Sequence, residues 1–118
     1  MPVSIKRAYE APHDQDGVRI LVDRIWPRGK SKEALKIDHW MKDVAPSTEL
    51  RQWFNHDADK FEQFKEKYKE EIEGGEALKK LKELTVKHKK HLTLIYGAKD
   101  EKHNQAVVLK EILDHQQV

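Results

Sequence analysis

The side chains best suited to chemistry fall in two short polar strings, each following an apolar run. DRIWPRG at 23–29 supplies Asp23, Arg24, Trp26 and Arg28; after Tyr96, GAKDEKHN at 97–104 supplies Lys99, Asp100, His103 and Asn104. A guanidinium fork matches phosphate or carboxylate geometry and an ammonium adds a compact charge, so Arg24, Arg28 and Lys99 on one rim would form an anion site. Arg28 stands between Pro27, which fixes its own backbone, and Gly29, which lets the chain turn closely; that setting would hold it on a short rigid loop. Trp26, Tyr96 and Asn104 would line such a pocket. The alternative is local pairing, with Asp23 on Arg24 or Arg28 and Asp100 capping a helix.

Two histidines suit proton transfer. His56 is followed by Asp57, and a carboxylate can orient an imidazole as a general base; the competing reading is a capping Asp57 beside a surface histidine. His103, in the first turn of a helix, would have its protonated form disfavoured by the dipole, leaving a ring able to accept a proton. With Asp23, a rim carboxylate, these make the catalytic candidates. His88 and His91 have a spacing of three, but the acidic third ligand of a zinc site is absent, so no metal is expected. There is no Walker loop, no GxGxxG and no HExxH, so no cofactor is implied. Ser47, after Pro46, reads as a helix cap, since neither a nucleophile elbow nor a nearby base is visible. Trp40, Trp53 and Phe54 read as core rather than as a stacking groove.

The elements that must position these groups follow from periodicity. Val3, Ile5, Arg7 and Tyr9 alternate with Ser4, Lys6 and Ala8, as in an outer strand. Residues 18–22, VRILV, form a short apolar run that the polar 23–29 string ends, and LTLIY at 92–96 is apolar enough for a central strand covered on both faces. Asp38 and Ser47 predict caps of two short helices. Phe61, Phe64, Tyr68 and Ile72 recur at helical spacing after Asp57, and Gly74 and Gly75 stop that helix. Leu78, Leu81 and Leu84 mark a second helix whose end, KHKK, places cations at the negative dipole end. Ala106, Val108, Leu109, Ile112 and Leu113 mark a last helix, with Asp100 as its expected cap. The long separation of 18–23 from 92–96 demands a crossover, which makes that pair parallel. The expected fold is therefore α/β, a small three-layer domain spanning 1–118, with a short, mostly parallel sheet and helices on both faces. A fourth short strand would fit in the middle. Ligands of such sheets bind outside the carboxyl ends of the strands, where both polar strings emerge.

Composition bounds the rest. The chain has 118 residues with 37% apolar and 37% charged, enough for one folded unit. A formal charge of +2 does not favour a nucleic acid as partner, although an exposed nucleic-acid phosphate could meet the same arginines. There is no cysteine, which excludes thiolate nucleophiles, thiol redox chemistry and thiolate metal sites. No membrane-length apolar stretch occurs and MPVSIKRAYE lacks a signal core, so a cytoplasmic location without membrane contact is expected. Oligomeric state leaves no signature in the sequence.

DRIWPRG at 23–29, Trp40, KDVAPSTELRQWFNHD at 42–57 and LTLIYGAKDEKHNQAVVL at 92–109 together resemble the YeaO-like family of small bacterial proteins, a domain of unknown function numbered 488. The resemblance covers nearly the whole chain in order. It implies a compact α/β domain and no assigned activity, and it adds Arg51 to the cationic candidates. Larger members resemble the last block but carry a Cys-His-Arg element where this chain has Lys102, His103 and Asn104, so a cysteine mechanism is not expected here. The leading expectation is an anion pocket built by Arg24, Arg28, Arg51 and Lys99, binding a phosphorylated metabolite, nucleotide or nucleic-acid phosphate, with or without hydrolase or transferase chemistry. The contrasting expectation is an interaction or adaptor module whose arginines and tryptophans are structural.

Overall fold

A computed structural model describes residues 3–87 and 91–115. Four strands, β1 (Val3–Arg7), β2 (Val18–Leu21), β3 (His39–Trp40) and β4 (Leu92–Tyr96), form one sheet in the order β1-β4-β2-β3, and every neighbouring pair is parallel. All four carboxyl ends therefore lie on one edge. β4 pairs with β1 and β2 and is buried throughout, as its unbroken apolar run requires. β1 is an outer strand, as its alternation predicts.

Strand parity divides the interior. Val3, Ile20, Val22, Leu92, Leu94 and Tyr96 belong to the main core, packed on α2 (Thr48–Phe54), α3 (Phe61–Ile72), α4 (Glu76–Lys87) and α5 (Gln105–Asp114). Leu21 and Ile95 belong to a second, smaller core with Ala8 and Leu35, the latter on α1 (Lys32–Leu35), flanked by Trp26, Ile37 and Trp40. The fold is thus α/β with helices on both faces, unequally shared: the second layer is one helical turn and the chain leading into and out of it.

Three expected boundaries move, each for a visible reason. Asp38 does not cap a helix. Its Oδ2 accepts from the Arg19 amide at 2.8 Å and its own amide donates to the Arg19 carbonyl at 2.7 Å, which leaves His39 and Trp40 extended to pair with Ile20 and Leu21 as the fourth strand. Asp57 caps a 3₁₀ turn, Ala58–Lys60, which runs into α3. The α5 cap is Asn104, whose Oδ1 accepts from the Val107 amide at 3.1 Å. Ser47 caps α2 as expected. The KHKK cations at 88–90 lie outside the described residues, as does His88 of the histidine pair. His91 Nε2 lies 2.9 Å from Ser4 Oγ.

Phe54 is fully in the core, whereas Trp53 is half-buried, with the ammonium groups of Lys60 and Lys67 each 5.1 Å from its ring centroid. Trp40 is half-buried too, edge-on to Trp26 at 5.3 Å. Trp53→Ala is therefore expected to cost less than the roughly 3–5 kcal/mol of a fully buried tryptophan, while Phe54→Ala should reach about that range. Urea unfolding of the two variants checks the order.

Candidate functional site

At the carboxyl edge, the exits of β2 and β4 and the N-terminal ends of α2 and α5 enclose a cleft of two adjoining lobes. The larger, about 570 Å³, is lined by Asp23, Arg24, Arg51, His56, Lys99 and Asp100 among others. The smaller, about 280 Å³, adds Thr48, Gln52, Asn55, His103 and Asn104, and Arg51, His56 and Gln105 border both. The crossover topology thus brings together Asp23, Arg24, Arg51, His56 and Lys99, which are far apart in the chain.

Asp23 is the clasp of this edge. Its Oδ2 accepts from the Gly97 amide at 2.8 Å, and its Oδ1 accepts from the Gln105 side-chain amide, so one carboxylate ties the β2 exit to the β4 exit and to the start of α5. Gly97 permits the approach, because a Cβ there would lie 3.0 Å from Asp23 Oδ2. Burial pushes the Asp23 carboxyl above its ordinary value, and the Gly97 amide, Gln105 and the Arg51 charge offset only part of that. Asp23 pairs with neither Arg24 nor Arg28 in any ion pair.

Arg24 lines the larger lobe but spends Nη2 on the carbonyls of Ala45 at 3.1 Å and Pro46 at 3.5 Å, pinning the β2 exit to the segment that enters α2. Its Nε is buried without a partner. The Arg51 guanidinium and the Lys99 ammonium, both on exposed residues, make no hydrogen bond or ion pair with any described residue. Arg7, which the sequence reading passed over, orients the β4 exit by donating from Nε to the Ala98 carbonyl at 2.9 Å.

Three expected site residues lie elsewhere. Arg28 is exposed and lines neither lobe; the Pro27–Gly29 turn sends the chain toward α1, and the Arg28 carbonyl accepts from the Tyr9 hydroxyl at 3.1 Å. Trp26 packs in the second core and donates from Nε1 to the Lys30 carbonyl at 2.5 Å. Tyr96 shares the parity of Leu92 and Leu94 and is buried in the main core, below the rim.

The proton-transfer candidates are also altered. His56 and Asp57 form no dyad, because Asp57 Oδ1 accepts from the Asp59 amide at 3.0 Å as a cap, while His56 has φ +56° and its ring meets Phe54 at 6.5 Å. Asn55 precedes it with φ +46°, so two successive residues with side chains hold the left-handed conformation at the cleft wall. His103 Nδ1 lies 2.9 Å from Asp100 Oδ2, which leaves Nε2 as its uncommitted nitrogen. The Lys102 amide and the His103 side chain hold the Asp100 carboxyl below its ordinary value. No group of three or more His, Asp or Glu side chains among the described residues could hold a metal ion.

Gln105, Gln52 and Asn55 are cleft residues that sequence reasoning missed, and Thr48, beside the Ser47 cap, joins them in the smaller lobe. Gln105 follows the α5 cap, a position that a better-placed cap would have flagged; the other three carry no motif.

Fold and cleft define a parallel α/β domain with a polar cleft at the carboxyl edge of its sheet, lined by Arg24, Arg51 and Lys99 together with Asp23 and Asp100. The chain belongs to the family described as DUF488-N3i, the Inactive DUF488-N3 subclade, which matches residues 2–117. It is similar to the uncharacterized protein YeaO of Escherichia coli (strain K12), 41% identical over 113 residues that span 96% of this chain and 97% of YeaO. The uncharacterized protein Rv3073c of Mycobacterium tuberculosis is 38% identical over 112 residues, 95% of this chain and 93% of its own length. No solved structure matches the chain. The YeaO-like resemblance of the sequence is thus borne out, and no helix among the described residues is long and apolar enough to cross a membrane.

Proposed function

We propose that this is a non-catalytic cytoplasmic binding domain whose cleft holds a small phosphate- or carboxylate-bearing molecule. The observation that carries this reading is the pair of unspent cations, Arg51 and Lys99, on a cleft that has His56 at its waist. Neither side chain is tied down by a hydrogen bond or ion pair, so both can turn to an anion that enters the cleft, with the Arg51 charge only partly offset by the field of Asp23. The absence of catalysis is supported by the family description as inactive, by the unformed His56–Asp57 dyad, and by Lys102 at the point where larger relatives resemble the chain but carry cysteine. Arg24 and Trp26 do have the structural roles that an adaptor reading assigns them, yet that reading leaves Arg51 and Lys99 without a purpose.

A thermal-shift series with inorganic phosphate, phosphosugars and small carboxylates tests the proposal, since a ligand of the folded state raises its melting temperature. Arg51→Gln and Lys99→Gln are each expected to weaken the best anion by about ten- to a hundredfold, the worth of one charge-assisted hydrogen bond. Arg28→Lys should leave the shift unchanged. Equal ligand-induced shifts in wild type, Arg51→Gln and Lys99→Gln would defeat the reading.

A further inference from the structure

The smaller lobe differs in chemistry from the larger one, and that difference bears on the ligand. We infer that the occupant is a mononucleotide, its phosphate in the lobe of Arg51 and Lys99 and its base in the lobe of Gln52, Asn55, His56 and His103. The inference rests on the anion cleft proposed above and names its substrate class.

Three observations converge. The side chains of Thr48, Gln52 and Asn55 line the smaller lobe and make no hydrogen bond with any described residue, whereas Asn104 and Gln105 beside them are spent on Asp100, Val107 and Asp23. A primary amide presents a donor and an acceptor on one planar head, the pattern that reads the edge of a heterocyclic base and that a bare phosphate does not need. Next, two flat imidazoles border this lobe beside one aromatic cluster, His103 tied by Asp100 and His56 exposed at its edge. The His103 ring stands edge-on to Phe61 at 5.1 Å, His56 lies 6.5 Å from Phe54, and Phe54 stacks on Phe64 at 4.3 Å. The His103 ring, held on two sides, offers a fixed surface for a planar ligand and the exposed His56 ring can close on it, and stacking tolerates any base. Lastly, Asn55 and His56 hold left-handed backbone conformations. Asn55 does so as the C-cap of α2, an ordinary place for asparagine, so it is the His56 conformation, beyond the cap and on the cleft wall, that is unusual and of the kind that concentrates at ligand-binding positions.

A sugar phosphate would occupy the cationic lobe and leave the amides and imidazoles untouched. The larger lobe, about 570 Å³, falls within the roughly 300–1,000 Å³ of small-molecule sites, and with the smaller, about 280 Å³, beside it there is room for a base and a sugar as well as a phosphate.

Isothermal titration of the full chain with AMP, GMP, CMP and UMP, each compared with ribose 5-phosphate, tests the assignment. At least one nucleotide should bind about tenfold or more tightly than ribose 5-phosphate, the least expected from stacking plus an edge contact. Gln52→Ala with Asn55→Gly, the glycine keeping the left-handed backbone available, removes the edge contact and should shrink that excess severalfold while leaving ribose 5-phosphate affinity unchanged. Circular dichroism of the double variant confirms its fold. Equal affinity of nucleotides and ribose 5-phosphate for the wild type would overturn the nucleotide assignment and leave the anion cleft standing, and so would an excess that is undiminished in the double variant. If neither the nucleotides nor ribose 5-phosphate nor inorganic phosphate binds, the nucleotide assignment falls, and if the small carboxylates fail as well the anion cleft falls with it.

Discussion

Asp16→Ala is expected to destabilise the protein by about 3–5 kcal/mol, the cost of leaving a buried charge without its partner. Asp16 lies on the return from β1 to β2, at the edge opposite the cleft. Its carboxylate accepts from Arg19 Nη1 at 2.6 Å, from Lys6 Nζ at 3.1 Å and from the His13 amide at 2.9 Å, and its own carbonyl accepts from the Thr93 hydroxyl at 2.7 Å. Arg19 is only 4% exposed, and its Nε and Nη2 are spent on the Leu35 carbonyl, so the counter-charge must come from Asp16. Burial would raise the Asp16 carboxyl, but the His13 amide, Lys6 and Arg19 together outweigh it and hold the group below its ordinary value. A lowered value in the folded state means stability that is present above the ordinary carboxylate range and is lost as pH falls through the folded value. Urea midpoints should therefore show a large drop for Asp16→Ala at neutral pH that narrows toward acid. A drop under about 1 kcal/mol at neutral pH would show that Arg19 is served without Asp16.

This ion cluster shows what was legible and what was not. Strand parity alone marks Ile20 and Leu94 as facing one core and Leu21 and Ile95 as facing the other, and the runs at 18–22 and 92–96 made β2 and β4 readable. Arg19 interrupts the first run and looks like a solvent-facing residue, because nothing local says that Asp16 and the Leu35 carbonyl will meet it. β3 was hidden for a related reason: two residues have no periodicity, and the strand exists because Asp38 binds the Arg19 backbone rather than the start of a helix. Gly17 reads as an ordinary turn glycine, yet a Cβ there would lie 2.3 Å from the His91 carbonyl oxygen, a contact made only when β2 is laid beside the entry to β4.

The cleft divides the same way. Its cations were legible by type, since Arg and Lys on strand exits of a parallel sheet converge wherever the crossovers are completed. Which of them converge was not. Arg24 and Arg28 look equivalent in DRIWPRG, but the Pro27–Gly29 turn carries Arg28 away, while Arg51 arrives from a helix that only tertiary packing places there. The amides of Gln52 and Asn55 carry no signature of a cleft, since Asn55 reads equally well as the left-handed C-cap of α2 that it also is.

Asp23, read from the sequence as a catalytic carboxylate, is instead expected to act as the latch of the cleft, and Asp23→Ala should cost about 2–4 kcal/mol. The variant leaves the Gly97 amide without its acceptor and deprives Gln105 of a charged partner, each loss worth about 1–3 kcal/mol. The pH dependence has the opposite sign from that of Asp16. Because burial raises the Asp23 carboxyl, the folded chain holds more protons than the unfolded chain between the ordinary and the raised values. Stability attributable to this group therefore falls as pH climbs through that window. Asp23→Asn removes the titration but keeps an acceptor for Gly97, and a reversed Gln105 amide can accept from the new side-chain NH₂. It should lie within about 1 kcal/mol of wild type at neutral pH and show a flatter pH profile across the window, whereas Asp23→Ala is destabilised on both sides of it. Melting temperatures of the three proteins from pH 4 to 8 decide the matter, and an Asn variant as damaged as the Ala variant would show that the charge, not the clasp, holds this edge together.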